Sequence, residues 1–338
     1  MSEIAVGGVR AKPGEKVLGY AKVAESPILP IQIPVGIING KNNGPTLSVV
    51  AGTHAVEYAG IDAALRIFRD TDPQQLHGSI ILAPIVNIIG FERATIWVNP
   101  IDGLNPAFQC PGRHDGSMSQ VTAHFVMENI VSKGNYYVDL HGGDIPELLM
   151  PYVSFIRTGS EKFDKQCIAL AEVYDIEYLE DRTSPPYTVG LWSATSMFFG
   201  QACKRGILGI LAESGIGLGT YDEEDIVRHV KGVTNIMKYL KMIEGIPIRH
   251  HKKQRVWHDA LTVTVNRGGI FSPTVKVGEN VTKGQTIGLV KDLQGDIVEK
   301  VITPKAGVAM IIYHKHVVYT GETVFNIATD ITDHVPVT

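Results

Sequence analysis

A chain of 338 residues, 44% hydrophobic and 20% charged, has ample apolar surface for one large globular domain or two modest ones. Its formal net charge of -4 and pI near 6.3 speak against a strongly basic nucleic-acid surface and leave small molecules as the expected partners. No run approaches the ~18 consecutive apolar residues of a membrane span. The N-terminal segment lacks the continuous apolar core of a secretory signal. Three widely spaced cysteines without a Cys-x-x-Cys pair fit reduced thiols in a cytoplasmic protein.

Three strand-like runs lie between Lys16 and Gly52, separated by proline and by an Asn-Gly-rich turn. Ile61, Ala64, Leu65 and Phe68 recur at helical spacing and predict a helix over Tyr58 to Arg69. The unbroken apolar run Ser79 to Val86 predicts a strand buried on both faces. From Asn87 to Ser119 the periodicity disappears, and a loop this long inside a compact enzyme is usually functional. Further helices are expected over Thr122 to Val131, Glu161 to Val173, Ala194 to Cys203 and Glu223 to Met242. Strands are expected over Tyr136 to Gly143 and Ile207 to Ser214, and a Pro-rich loop over Thr183 to Pro186. Strands alternating with helices predict an α/β fold with a largely parallel sheet flanked by helices. After Gly245 the texture changes to short strands and turns, which places a domain boundary there: residues 1–245 form the first unit and 246–338 a smaller, all-β one.

Three short stretches carry the chemistry. His54 and Glu57 stand three residues apart between a strand and a helix, where both can converge on one point. His141 ends an apolar strand in Asp139-Leu140-His141-Gly142-Gly143, where open α/β sheets place ligand-binding residues. His, Glu and His form a three-ligand set that leaves one position for water, the pattern of catalytic zinc. His54 and Glu57 alone fit equally well a helix N-terminus with a solvated carboxylate. Glu213 ends a second buried strand, where partial desolvation raises a carboxyl towards the range of a general base. A guanidinium is needed for an oxyanion or a substrate carboxylate. Arg93 and Arg113 in the long loop are the candidates, with Arg182 a third, and each fits a salt bridge as well.

At these residues the chain resembles the succinylglutamate desuccinylase/aspartoacylase family, relatives of the zinc carboxypeptidases. The family pattern is Gly-x-His-Gly-x-Glu, a strand-end His, and a Glu after a later strand. The resemblance therefore implies one Zn²⁺ per chain on His54, Glu57 and His141, with Glu213 as catalytic base. Asn87, Pro100-Ile101-Asp102-Gly103, Leu104-Asn105 and Pro111-Gly112 match pieces of the family's substrate loop. Two departures stand out. Ala55 replaces the glycine after the first His, and Pro106 stands where many members carry an arginine after Leu-Asn. Asn105 is then the expected polar substrate contact, with Arg113 just beyond it. Asp139 is read either as a carboxylate that orients a ligand or as an ordinary strand-end residue. The C-terminal part resembles a lipoyl- or biotinyl-like barrel-sandwich but lacks a Met-Lys-Met hairpin, so no modified carrier lysine is expected.

The implied activity is hydrolysis of the amide bond of an N-acyl amino acid. A carboxypeptidase acting on short peptides and a non-catalytic binding protein on the same scaffold are the rivals. Neither a nucleic acid nor a membrane is expected as partner, and the β unit offers a surface for a homo-oligomer.

Overall fold

The computed structural model describes residues 2–183, 193–217, 222–250 and 253–337. The Pro-rich stretch from Ser184 onward lies outside the described residues. Within them, no helix is long and apolar enough to cross a membrane.

Among the described residues a thirteen-stranded sheet runs through the molecule. Its centre is four parallel strands in the order His77–Ala83, Asn42–Ala51, Tyr136–His141 and Leu208–Glu213. Pro30–Asn39 and Glu15–Glu25 add antiparallel strands outside His77–Ala83. On the other side Tyr152–Phe155 runs antiparallel to Leu208–Glu213, followed in parallel by Tyr178–Asp181 and Arg255–Thr264. Apart from the first half of Asn42–Ala51 the central strands are buried almost throughout, which is why they read as unbroken apolar runs instead of alternating ones.

Both faces of the centre are covered. A Cβ at Gly60, in helix Tyr58–Asp70, would lie 2.9 Å from the carbonyl oxygen of Leu140, so only glycine allows this helix its approach. Gly209 instead lies against Phe199 and Ala202 of helix Phe198–Lys204 and against Tyr137. Tyr137 and Leu140 are three apart on one strand and point to opposite faces, so the two helices pack on opposite sides. Helix Glu223–Tyr239 packs against both Tyr58–Asp70 and Glu161–Tyr174. Its start is fixed by Asp222, whose side chain accepts from Glu224 N, and by three acidic residues in the first turn that favour the dipole's positive end.

The third helix begins earlier than its periodicity indicates. It spans Met118–Asn129 because Ser117 and Gln120 form a capping box ahead of the apolar stripe. The long stretch after Asn87 also holds a short helix, Ile88–Arg93, and a 3-10 turn, Pro106–Phe108, both too brief to leave a period.

The C-terminal unit pairs two sheets. Thr323–Asp333 and Gly307–Tyr313 continue the large sheet beyond Arg255–Thr264. Ile297–Ile302, Thr286–Lys291, Gly269–Pro273 and Val317–Val318 form a four-stranded sheet. Phe271 of the small sheet meets Phe325 of the large one edge to face at 5.9 Å, within a core of buried valines and isoleucines. Arg255–Thr264 joins this C-terminal all-β region to the rest of the large sheet. Its first three residues pair with Tyr178–Glu180 on one side, and its whole length runs with Thr323–Asp333 on the other. A short strand, Glu147–Leu149, closes onto Gly307–Tyr313 and puts Tyr313 opposite Glu147.

Candidate metal centre and active site

All three sequence-derived ligands stand at the carboxyl ends of the central parallel strands. Gly52 follows Asn42–Ala51 with φ +61°, a left-handed turn that suits glycine, and turns the chain to His54. Glu57 is the N-cap residue of Tyr58–Asp70. His141 ends the neighbouring strand and is in register with Glu213 on the next.

One ligating atom from each of His54, Glu57 and His141 lies within 4.8 Å of the others. His54 Nδ1 is 2.6 Å from Glu57 Oε1, and His141 Nδ1 is 2.9 Å from Glu57 Oε2. The far nitrogens face acceptors: His54 Nε2 lies 3.1 Å from Asn105 Oδ1, and His141 Nε2 lies 3.3 Å from Asp139 Oδ1. Acceptors on Nε2 favour the tautomer with its proton there. Each Nδ1 lone pair then points at a carboxylate oxygen, an arrangement of acceptor against acceptor that holds together only around a cation or an added proton. Two imidazoles and a carboxylate are a donor set suited to zinc, and side-chain oxygens on the remote nitrogens are the usual way such ligands are oriented. The residues therefore fit a zinc ion. Burial opposes charge on all three, yet the two imidazoles hold the Glu57 carboxyl at about 2. Glu57 in turn raises His54 and pushes His141 well up against the effect of burial.

Asn105 is brought there by an ordered loop. Asp102 accepts from Ser117 Oγ (2.7 Å), from the Ser119 backbone and hydroxyl (2.7 and 2.9 Å) and from Leu104 N (3.1 Å). This ties the loop to the start of Met118–Asn129. The Asn105 side chain also accepts from Ala107 N at 2.9 Å, so its oxygen is fixed towards His54. Asn105→Ala is expected to weaken zinc binding about 10- to 100-fold, the usual cost of losing a residue that orients a ligand. Chelator competition measures it, and unchanged affinity would remove Asn105 from this role.

Glu213 stands with Oε2 buried and without a hydrogen-bond partner among the described residues. Burial pushes its carboxyl well above the ordinary range, and the charges of Glu57, Glu147 and Glu180 add to this while His141 opposes it. Behind it the two strand ends are zipped together: Ser214 N donates to His141 O at 3.0 Å and Gly143 N to Gly215 O at 2.9 Å. A Cβ at Gly142 would come within 2.7 Å of Ser214 O, so this glycine allows the contact.

Among the candidate arginines, Arg93 is exposed at the end of its short helix. Arg113 is turned to solvent, with Nε 3.1 Å from Asp115. Arg182 is mostly buried, with Nε 3.7 Å from Glu180, whose charge reaches Glu213.

The sequence pattern gave little sign of a second group of acids. Asp144 and Glu147 are buried just beyond His141, with Asp144 N donating to Glu147 Oε2 at 2.7 Å. Burial, with a contribution from Glu57, raises Asp144 to about 6 and Glu147 to about 7. Burial and the charges of Glu147 and Glu213 also raise the Tyr313 hydroxyl, which brings the C-terminal unit to the edge of the site. The Asp-x-x-Glu spacing after His141 is the one signal in the sequence that marked these acids. Glu147 carries a stability signature. Its carboxyl ionises near 4.5 when unfolded and about 7 when folded. The protonated form is favoured in the fold, so wild type loses stability relative to Glu147→Gln as pH rises from 4.5 through 7. The full loss is on the order of 3 kcal/mol above that window. Urea midpoints of both proteins in chelator, from pH 4 to 8, measure the gap, and a gap that does not widen with pH would contradict this reading.

Comparison with known proteins places these residues in a wider setting. Residues 43–240 match the family described as "Succinylglutamate desuccinylase/Aspartoacylase catalytic domain". The N-alpha-acetyl-L-2,4-diaminobutyric acid deacetylase of Halomonas elongata is 23% identical over 269 residues, which cover 78% of this chain and 75% of the relative. A succinylglutamate desuccinylase/aspartoacylase from Rhodobacter sphaeroides superposes with a TM-score of 0.82 at 24% identity, covering 93% of this chain and 96% of that one. The product-bound ectoine utilization protein EutE (DoeB) from Ruegeria pomeroyi superposes with a TM-score of 0.84 at 20% identity, covering 92% and 94%. At these identities the structural likeness speaks to the fold, which is the same mixed sheet with a C-terminal all-β region.

Proposed function

The chain belongs to the succinylglutamate desuccinylase/aspartoacylase family, and on that premise we propose that it is a zinc-dependent hydrolase that removes the acyl group from a small N-acyl amino acid. The observation that carries the reading is geometric. Two imidazole Nδ1 atoms flank the two oxygens of Glu57. A buried carboxylate oxygen of Glu213, without a partner among the described residues, stands one strand away in register with His141. The Halomonas relative, named for deacetylation of an N-acetylated amino acid, supports the substrate class.

His54, Glu57 and His141 would hold the zinc ion, with Asn105 and Asp139 fixing the two imidazoles. A zinc ion there supplies Lewis acidity to the acyl carbonyl and to a water. Glu213 accepts the proton of the attacking water and returns it to the leaving nitrogen as the C–N bond breaks, giving a carboxylate and an amine. A buried carboxyl with a raised proton affinity suits that exchange, because it takes up the proton more readily than an ordinary carboxylate. Arg182 is the guanidinium that Glu180 connects to the Glu213 side of the site, and it is the best placed to take the substrate's carboxylate. Arg93 and Arg113 would then act only at the outer rim.

Amine release from N-acetyl-L-2,4-diaminobutyrate, N-acetylaspartate, N-succinylglutamate and a set of dipeptides tests the substrate class. Turnover of at least one acylated amino acid, with the dipeptides intact, is expected. Cleavage of dipeptides alone would replace the deacylase reading with a peptidase.

A further inference from the structure

His229 lies in helix Glu223–Tyr239, 88 residues from His141 in sequence, and is fully buried behind the site. Its Nε2 is 2.8 Å from the backbone oxygen of His141 and 3.0 Å from that of Ser214. Both are acceptors, so Nε2 carries the proton and is shared between them. Its Nδ1 is 2.7 Å from the Tyr174 hydroxyl, which donates to it and so fixes that tautomer. Tyr174 is itself buried and reaches His229 because of Gly232, where a Cβ would lie 2.4 Å from the tyrosine ring.

The two carbonyls belong to particular residues. One is the third metal ligand. The other directly follows the general base. Parallel strands diverge where their ladder ends, and here the ladder ends at the pair His141–Glu213. Beyond it the direct links are Ser214 N to His141 O and Gly143 N to Gly215 O. His229 adds a third link from outside the sheet and ties both strand ends to one helix. We infer that His229, locked in one tautomer by Tyr174, is a positioning residue that sets the spacing between the His141 ligand and the Glu213 carboxylate.

The inference rests on the zinc-hydrolase reading above and deepens it. The His229 ring hydrogen-bonds to Tyr174 and to two backbone carbonyls, so its effect reaches the reacting groups through the backbone. Losing the shared proton leaves a buried carbonyl at Ser214 without its donor and frees the two strand ends to slip. The consequences are weaker metal binding and a misplaced base, with little change in substrate affinity.

The test compares wild type, His229→Leu, His229→Gln and Tyr174→Phe. Zinc affinity is read by competition with a chromophoric chelator in the absence of substrate, and the Co²⁺-substituted proteins are compared by visible spectrum. The kcat and KM values are read on whichever N-acyl amino acid wild type turns over. His229→Leu is expected to bind zinc about 10- to 100-fold more weakly, with a similar fall in kcat and KM within about threefold. His229→Gln keeps an N–H donor on that side chain and is expected to recover about tenfold of the loss. Tyr174→Phe is expected to show a smaller loss in the same direction and an altered Co²⁺ spectrum. Wild-type zinc affinity in a folded His229→Leu, or a glutamine variant as impaired as the leucine one, would overturn the inference. Should His229→Leu not fold, unchanged zinc affinity and Co²⁺ spectrum in Tyr174→Phe would do the same. A wild-type protein that binds zinc and hydrolyses none of the N-acyl amino acids would sink the deacylase reading alone, because the affinity comparison needs no substrate.

Discussion

Glu213→Gln is expected to keep its zinc and to lose about 10²- to 10⁴-fold in kcat, the range in which a positioned general base contributes. The substitution preserves shape and leaves His54, Glu57 and His141 untouched, so metal content and fold should match wild type. What it removes is proton affinity at a buried oxygen that has no hydrogen-bond partner among the described residues. Burial raises that affinity, and the nearby acids Glu57, Glu147 and Glu180 raise it further, while His141 opposes them. An amide nitrogen neutralises such a carboxylate without replacing its chemistry. Stopped-assay kinetics alongside elemental analysis separates the outcomes. A glutamine variant within a few-fold of wild type would move the base elsewhere, with Glu147 the nearest alternative by virtue of its raised carboxyl.

His141→Ala is expected to lose the metal and, with it, all measurable amine release. Three protein ligands leave no redundancy, and removing one reduces the set to His54 and Glu57. The loss extends past the ligand itself. Glu57 Oε2 would keep only the Gly142 N–H at 3.2 Å, and Asp139 would lose its partner at 3.3 Å. Glu57 would still have His54 at 2.6 Å, but two buried carboxylates with fewer compensating partners should also lower the melting temperature. Zinc in the variant is expected to fall from about one ion per chain to near none. Retention of a full equivalent would relocate the site.

The His54, Glu57 and His141 cluster was legible because its residues sit where strands stop. Unbroken apolar runs marked the buried strands, and His54, His141 and Glu213 follow three of them with glycines alongside, so their shared edge could be read from pattern alone. Asn105 was legible as a polar residue near the chemistry, but its contact with His54 was not. That contact depends on Asp102 anchoring the loop to Met118–Asn129, a set of hydrogen bonds across 15 to 17 residues. Arg93 and Arg113 were candidates by residue type, and only the fold shows how far each turns to solvent. Asp139 needed the distance to His141, because spacing by two on a strand puts it on the right face without saying whether the atoms meet. His229 and Tyr174 left almost no mark. Both lie within ordinary helical stripes, and a buried histidine in such a stripe reads as core. Their role follows from the packing of Glu161–Tyr174 against Glu223–Tyr239, a long-range fact that no local pattern encodes. The same holds for Arg255–Thr264, whose first residues pair with Tyr178–Glu180. The change in texture after Gly245 is visible in sequence, whereas the continuity of the sheet across it is not.

The most direct measurement is zinc content followed against amine release in one preparation. The purified protein should carry about one zinc per chain. Chelation should remove the metal and the deacylation together, and added Zn²⁺ should restore both in proportion. Protein that comes without metal, refuses zinc and still releases amine from an N-acyl amino acid would contradict a metal-binding role for His54, Glu57 and His141.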